Sequence, residues 1–88
     1  MSKLEKLRKR IAQIPADFAW DEMVTLLGSL GFKEKSKKGG SYRTFFDDAG
    51  RKIFVHKPHP GSIVKVYSVR DVVEKLREFG LLADGDEE

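Results

Sequence analysis

The sequence predicts an α+β domain in which helices pack a three-stranded antiparallel sheet. Three observations carry that expectation. Apolar residues recur at helical spacing in three places. The stretch between the second and third of these alternates with the period of a strand. Pro15, Gly31 and Gly80 stand where the helical runs should stop. At 88 residues the chain is short, and it is expected to form one domain over residues 1–82 with an acidic, disordered tail at 83–88.

The first helix follows from Leu4, Leu7, Ile11 and Ile14, with Lys3, Lys6, Arg8, Lys9 and Arg10 mostly on the remaining arc. Pro15 ends it, so residues 1–16 read as an additional N-terminal helix. A second helix is expected from about Trp20 to Leu30. Its apolar stripe is Trp20, Met23, Val24, Leu27 and Leu30, Asp21 and Glu22 suit its N-terminal dipole, and Gly31 suits its C-terminal cap. Three strands follow at Phe32 to Lys37, Ser41 to Phe46 and Lys52 to Lys57, the last two joined by a turn at Asp47-Asp48-Ala49-Gly50. The final helix carries Val69, Val72, Val73, Leu76 and Phe79, with Ser68 and Asp71 at capping-box spacing. Arg70 with Glu74, and Asp71 with Lys75, are ordinary helix-surface pairs.

With the first helix set aside the order is α-β-β-β-α, that of double-stranded-RNA-binding folds. Two helices cover one face of such a sheet. Yet Phe45 and Phe46 are adjacent, as are Ile53 and Phe54, so both faces carry large apolar groups. The simpler expectation is that the N-terminal helix or a second copy covers the other face. The alternative is a surface for RNA bases or a partner protein.

A 40% hydrophobic and 35% charged chain belongs with folded soluble domains rather than disordered ones. The chain has no cysteine, which excludes disulfides and thiolate metal sites. No apolar run approaches a membrane span, so no membrane association and a cytoplasmic location are expected. The net charge is +3, but the four acids beyond residue 82 have no basic counterpart there, so the remainder is four units more positive. That balance favours an anionic partner such as nucleic acid, although lysine-rich surfaces also serve solubility alone.

The segment Lys37-Lys38-Gly39-Gly40-Ser41-Tyr42-Arg43-Thr44-Phe45-Phe46 joins a basic approach and a double glycine to an aromatic strand. Exposed amides and cations in such a turn can approach a phosphate backbone closely. Lys37, Lys38, Gly39, Gly40, Ser41, Arg43, Lys57 and Lys65 are therefore candidate RNA contacts, with Lys35 and Lys52 nearby. Each cation taken singly is more often a solvated charge. The second notable segment is His56-Lys57-Pro58-His59-Pro60-Gly61. Its prolines make a stiff connector that can hold two imidazoles near one anion, and an imidazole can activate a ribose 2′-hydroxyl without a metal. The plainer alternative is a strand-to-helix link decorated with surface histidines. No carboxylate pair accompanies the two histidines, so neither a metal site nor a cofactor is expected, and no acid is placed to complete a serine-type triad.

Phe18-Ala19-Trp20-Asp21-Glu22-Met23-Val24 through Leu30-Gly31-Phe32 resembles the opening helix of HicA-type toxins. Gly40-Ser41 and the strand to Phe45 resemble the family's Gly-Ser-His strand, and His59-Pro60-Gly61, Lys65 to Tyr67 and the helix to Leu81-Leu82 its closing section. The resemblance runs from about Asp17 to Leu82. It implies a double-stranded-RNA-binding-like fold, metal-independent cleavage of mRNA, and neutralisation by a HicB-type antitoxin. It also implies that Tyr42 stands where the family carries its catalytic histidine. An ordinary phenol is ionised in roughly one molecule per thousand at pH 7, whereas most ordinary imidazole is deprotonated there. A phenol in that place suits hydrogen-bond donation or base stacking, and proton abstraction only where cations such as Arg43 stabilise the phenolate. Tyr42, His56 and His59 are thus the candidate catalytic residues. The alternative is a non-catalytic RNA-binding or antitoxin-binding module of the same fold.

Overall fold

The computed structural model describes residues 3–36, 42–58 and 61–82. Its elements are α1 (Lys3–Ala12), α2 (Trp20–Ser29), β1 (Lys33–Ser36), β2 (Tyr42–Phe46), β3 (Lys52–His56) and α3 (Val66–Glu78). The strands form one sheet in the order β1-β2-β3, both pairs antiparallel. This is the expected α+β architecture, α-β-β-β-α once α1 is set aside.

Helix α1 ends at Ala12, short of the stop expected at Pro15, and leaves Ile14 of the expected stripe outside the helix. Ile14 turns into the left-handed region at φ 51°, with its N–H bonded to the Ile11 carbonyl at 2.9 Å. A β-branched residue pays strain there, and Pro15 bars the right-handed alternative. Arg10 then fastens α1 to the start of α2. Its guanidinium meets Glu22 at 3.0 Å and Asp17 at 3.2 Å, and lies 5.4 Å from the centre of the Phe18 ring. The hydrogen bond to Glu22 raises the Arg10 pKa above its ordinary value, against some burial. In return Arg10, and then the Ala19 N–H at 3.0 Å, hold the Glu22 carboxyl below its usual range. Ala19 cannot cap α2 with its side chain, so Glu22 supplies the cap from inside the first turn.

Helix α3 begins earlier than its capping-box spacing suggests. Lys65 is the N-cap, and its carbonyl accepts from the N–H groups of Ser68 and Val69 at 2.9 and 3.0 Å. Ser68 therefore sits buried inside the helix and does not cap it. The physical reason lies one residue upstream. Val64 is fully buried, and its N–H bonds the Phe18 carbonyl at 2.8 Å while Trp20 N–H bonds Ser62 at 2.7 Å. These bonds flank a bridge between Ala19 and Ile63 that sets where α3 can start.

The core gathers Leu7, Ile11 and Ala12 of α1, Trp20, Met23, Leu26 and Leu27 of α2, Phe45, Ile53 and Val55 of the sheet, and Val69, Val72, Val73 and Leu76 of α3. Leu26 is buried where the α2 stripe had placed Val24 and Leu30, both of which lie at the margin. Helix α1 packs against α2 and α3. It adds to the helical layer and, contrary to the expectation that the N-terminal helix covers the second sheet face, leaves Phe54 60% exposed. The amphipathic stripe of α1 finds its partners on the helices because the inner sheet face is already filled by α2 and α3.

At the β2–β3 turn, Asp47 Oδ1 accepts from the N–H groups of Ala49 and Arg51 at 3.1 and 2.9 Å, and Oδ2 meets Arg51 Nε at 2.6 Å. Burial opposes ionisation of Asp47, but these bonds and the Arg51 charge outweigh it and hold the carboxyl below its ordinary value. Gly50 closes the turn at φ 84°. Arg51 also lies 5.9 and 5.3 Å from the Phe32 and Phe79 ring centres and donates to the Phe79 carbonyl at 3.3 Å. The start of β3 is thereby held at the C-terminal end of α3.

Candidate nucleic-acid interface

Strand alternation and register together compose the open face of the sheet. Lys33 pairs with Phe46 and Phe46 with Lys52, forming one row. Lys35, Thr44 and Phe54 form the next, and Tyr42 pairs with His56 at the far end. Among the described residues, no strand position on this face is acidic. A shallow concavity of about 390 Å³ lies over it, lined by Lys35, Thr44, Phe46, Gly50, Lys52 and Phe54. Cations beside exposed aromatic rings are what a single-stranded nucleic acid requires: charge for phosphates and π-faces for bases.

Tyr42 and His56 meet edge to face, with ring centroids 5.0 Å apart and planes at 76°. Tyr42 is 57% exposed. The His56 Nδ1 is shielded from water and has no hydrogen-bond partner among the described residues. A buried polar nitrogen left in that state costs stability, which strand packing has to offset. His56 is the last residue of β3 and not part of a loose connector. The strand therefore gives its ring a fixed place opposite Tyr42.

The other candidates divide three ways. Lys57 and Lys65 are exposed, the first directly after β3 and the second capping the start of α3. Arg43 lies on the opposite face from Tyr42, in the row of Ser36 and Val55, where its Nε meets Glu34 at 3.3 Å. The structure thus unites Tyr42 with His56 and keeps the Arg43 guanidinium off their face. Lys37, Lys38, Gly39, Gly40, Ser41 and His59 lie outside the described residues, as does the tail at 83–88. Phe46, Phe54 and Lys33 were not singled out as site residues from sequence. Their signal was the period-two alternation, which becomes a surface only when the register aligns the three strands.

Among the described residues no three His, Cys, Asp or Glu side chains gather as metal ligands, and no helix is long and apolar enough to cross a membrane. No curated protein and no solved structure matches the chain. A family model does match, over residues 20–81, and its description is HicA toxin of bacterial toxin-antitoxin. The match runs from the first residue of α2 through the three strands and beyond α3, leaving α1, the connection from α1 to α2 and the chain ends outside. Sequence resemblance, element order and this match converge: the chain belongs to the HicA toxin family of bacterial toxin–antitoxin systems.

Proposed function

We propose that this chain is an RNA-binding toxin whose open sheet face holds single-stranded mRNA and whose Tyr42–His56 pair is its reaction centre. The observation that supports it most directly is the placement of that pair at one end of a face carrying Lys33, Lys35, Lys52, Phe46 and Phe54. Bases stack on the exposed rings while lysines meet the phosphates. His56 takes the proton from a ribose 2′-hydroxyl, and the oxygen attacks the adjacent phosphorus. The bond to the 5′-oxygen breaks, that oxygen takes a proton from solvent, and the products are a 2′,3′-cyclic phosphate and a 5′-hydroxyl end. Tyr42 donates a hydrogen bond to a phosphoryl oxygen as charge accumulates there. The chemistry is metal-independent, cytoplasmic, and held in check by a HicB-type antitoxin, as in the family.

A second function, RNA binding without cleavage, is favoured by one specific feature, the phenol at the position where the family carries histidine. Induced expression and a purified-protein RNA assay in chelator separate the two. Growth arrest and fragments ending in cyclic phosphate support cleavage. His56→Ala should then lower the rate by about 10²–10⁴-fold, the usual worth of a general base, whereas Tyr42→Phe should preserve RNA affinity. Intact RNA together with unaffected growth refutes the nuclease. In that event Tyr42→His should produce cleavage if the strand geometry is otherwise competent.

A further inference from the structure

Strand β3 presents an open edge. The sheet order places it at the margin, and among the described residues no backbone hydrogen bond joins its outer side to another element. Helix α3 runs beside it, and Phe54, Asp71, Glu74, Lys75 and Glu78 line a groove of about 340 Å³ between them. Three acids face one lysine there, and that lysine is engaged by Glu78 at 3.5 Å. Phe54 also lines the basic concavity on the sheet face. One exposed ring therefore divides a basic surface from an acidic groove.

An unpaired edge strand recruits a further strand through main-chain hydrogen bonds, and flanking side chains select which one. Charge narrows the occupants here. Nucleic acid in the groove brings phosphates against Asp71, Glu74 and Glu78. A second copy paired about Phe54 brings two acidic walls together. Residues 83–88 of the chain itself carry four acids and no base, so the wall repels them too. A basic polypeptide suffers none of these penalties.

We propose that the β3 edge and its acidic α3 wall form a docking site for an extended, basic segment of a partner protein, with one apolar residue of that segment covering Phe54. Because Phe54 belongs to both surfaces, occupation of the groove removes a stacking ring from the RNA face, and the two ligands compete. This competition rests on the RNA-binding proposal above; the docking site does not.

The probe is a short peptide of alternating lysine and valine, with a glutamate–valine peptide as control, titrated into the full chain. The lysine peptide should bind, protect amides of Lys52–His56 from hydrogen exchange, and displace a labelled single-stranded RNA. Glu74→Lys combined with Glu78→Lys changes only exposed positions and should weaken the peptide at least about tenfold while RNA affinity holds or rises. No peptide binding up to about 1 mM, or binding unaffected by the charge reversal, overturns the docking site. Peptide and RNA bound together without competition overturns the exclusion. Peptide binding with RNA ignored supports the docking site and refutes the RNA proposal alone.

Discussion

Replacing Phe54 with alanine should lower RNA affinity with little effect on folding. The ring is 60% exposed, so its removal opens no cavity in the core. What is lost is strand propensity and the cross-strand contact with Thr44, together about 1 kcal/mol. In a domain of this size that lowers Tm by roughly 4–8 °C. Stacking of one base on an aromatic side chain is worth about 1–3 kcal/mol. The dissociation constant should therefore rise by roughly 5- to 150-fold. Phe45→Ala supplies the contrast from the other face. Phe45 is 1% exposed and lies 6.0 Å from Trp20 between ring centres, so its loss costs about 3–5 kcal/mol. Total stability for this length is expected at about 4–13 kcal/mol, so Phe45→Ala should compromise folding itself. Fluorescence anisotropy with a labelled single-stranded RNA, beside thermal melts by circular dichroism, reads both quantities. A folded Phe54→Ala protein with unchanged RNA affinity refutes the use of this face for bases.

Two further outcomes concern the frame around that face. Ile11→Ala empties a fully buried position where α1 meets the core and should cost about 2–5 kcal/mol in chemical denaturation, although α1 lies outside the family match; a loss below about 1 kcal/mol shows that α1 is a detachable appendage. The Asp47 carboxyl is held below its ordinary 3.8 in the folded state, so its contribution is present above about pH 4 and is lost as pH falls from there through the folded value. Glu22 acts in the same direction. Acid titration of stability should accordingly show a shallower decline in Asp47→Asn than in the unaltered chain, and identical acid profiles refute the assignment.

Much of the fold was legible in the sequence because local signals agreed with one another. The helical stripes, Pro15, the double phenylalanine of β2 and the Asp47–Gly50 turn each point to the element that forms. The start of α3 was not legible, because Ser68 and Asp71 have capping spacing while Val64, buried against Phe18, sets the helix one turn earlier. Nor was the burial of Leu26 in place of Val24, since the width of a buried arc depends on what packs against it.

The same division runs through the site. Residue types and spacing alone determined the family resemblance, the basic balance, and the tyrosine at position 42. They also showed that both sheet faces carry aromatics. Only the tertiary structure decided that α1 joins the helices and leaves Phe54 exposed, that Arg43 faces away from Tyr42, and that His56 comes within 5.0 Å of it. The reason is register. Alternation assigns each side chain to a face, but cross-strand alignment fixes its neighbours, and that alignment arises only when the strands pair.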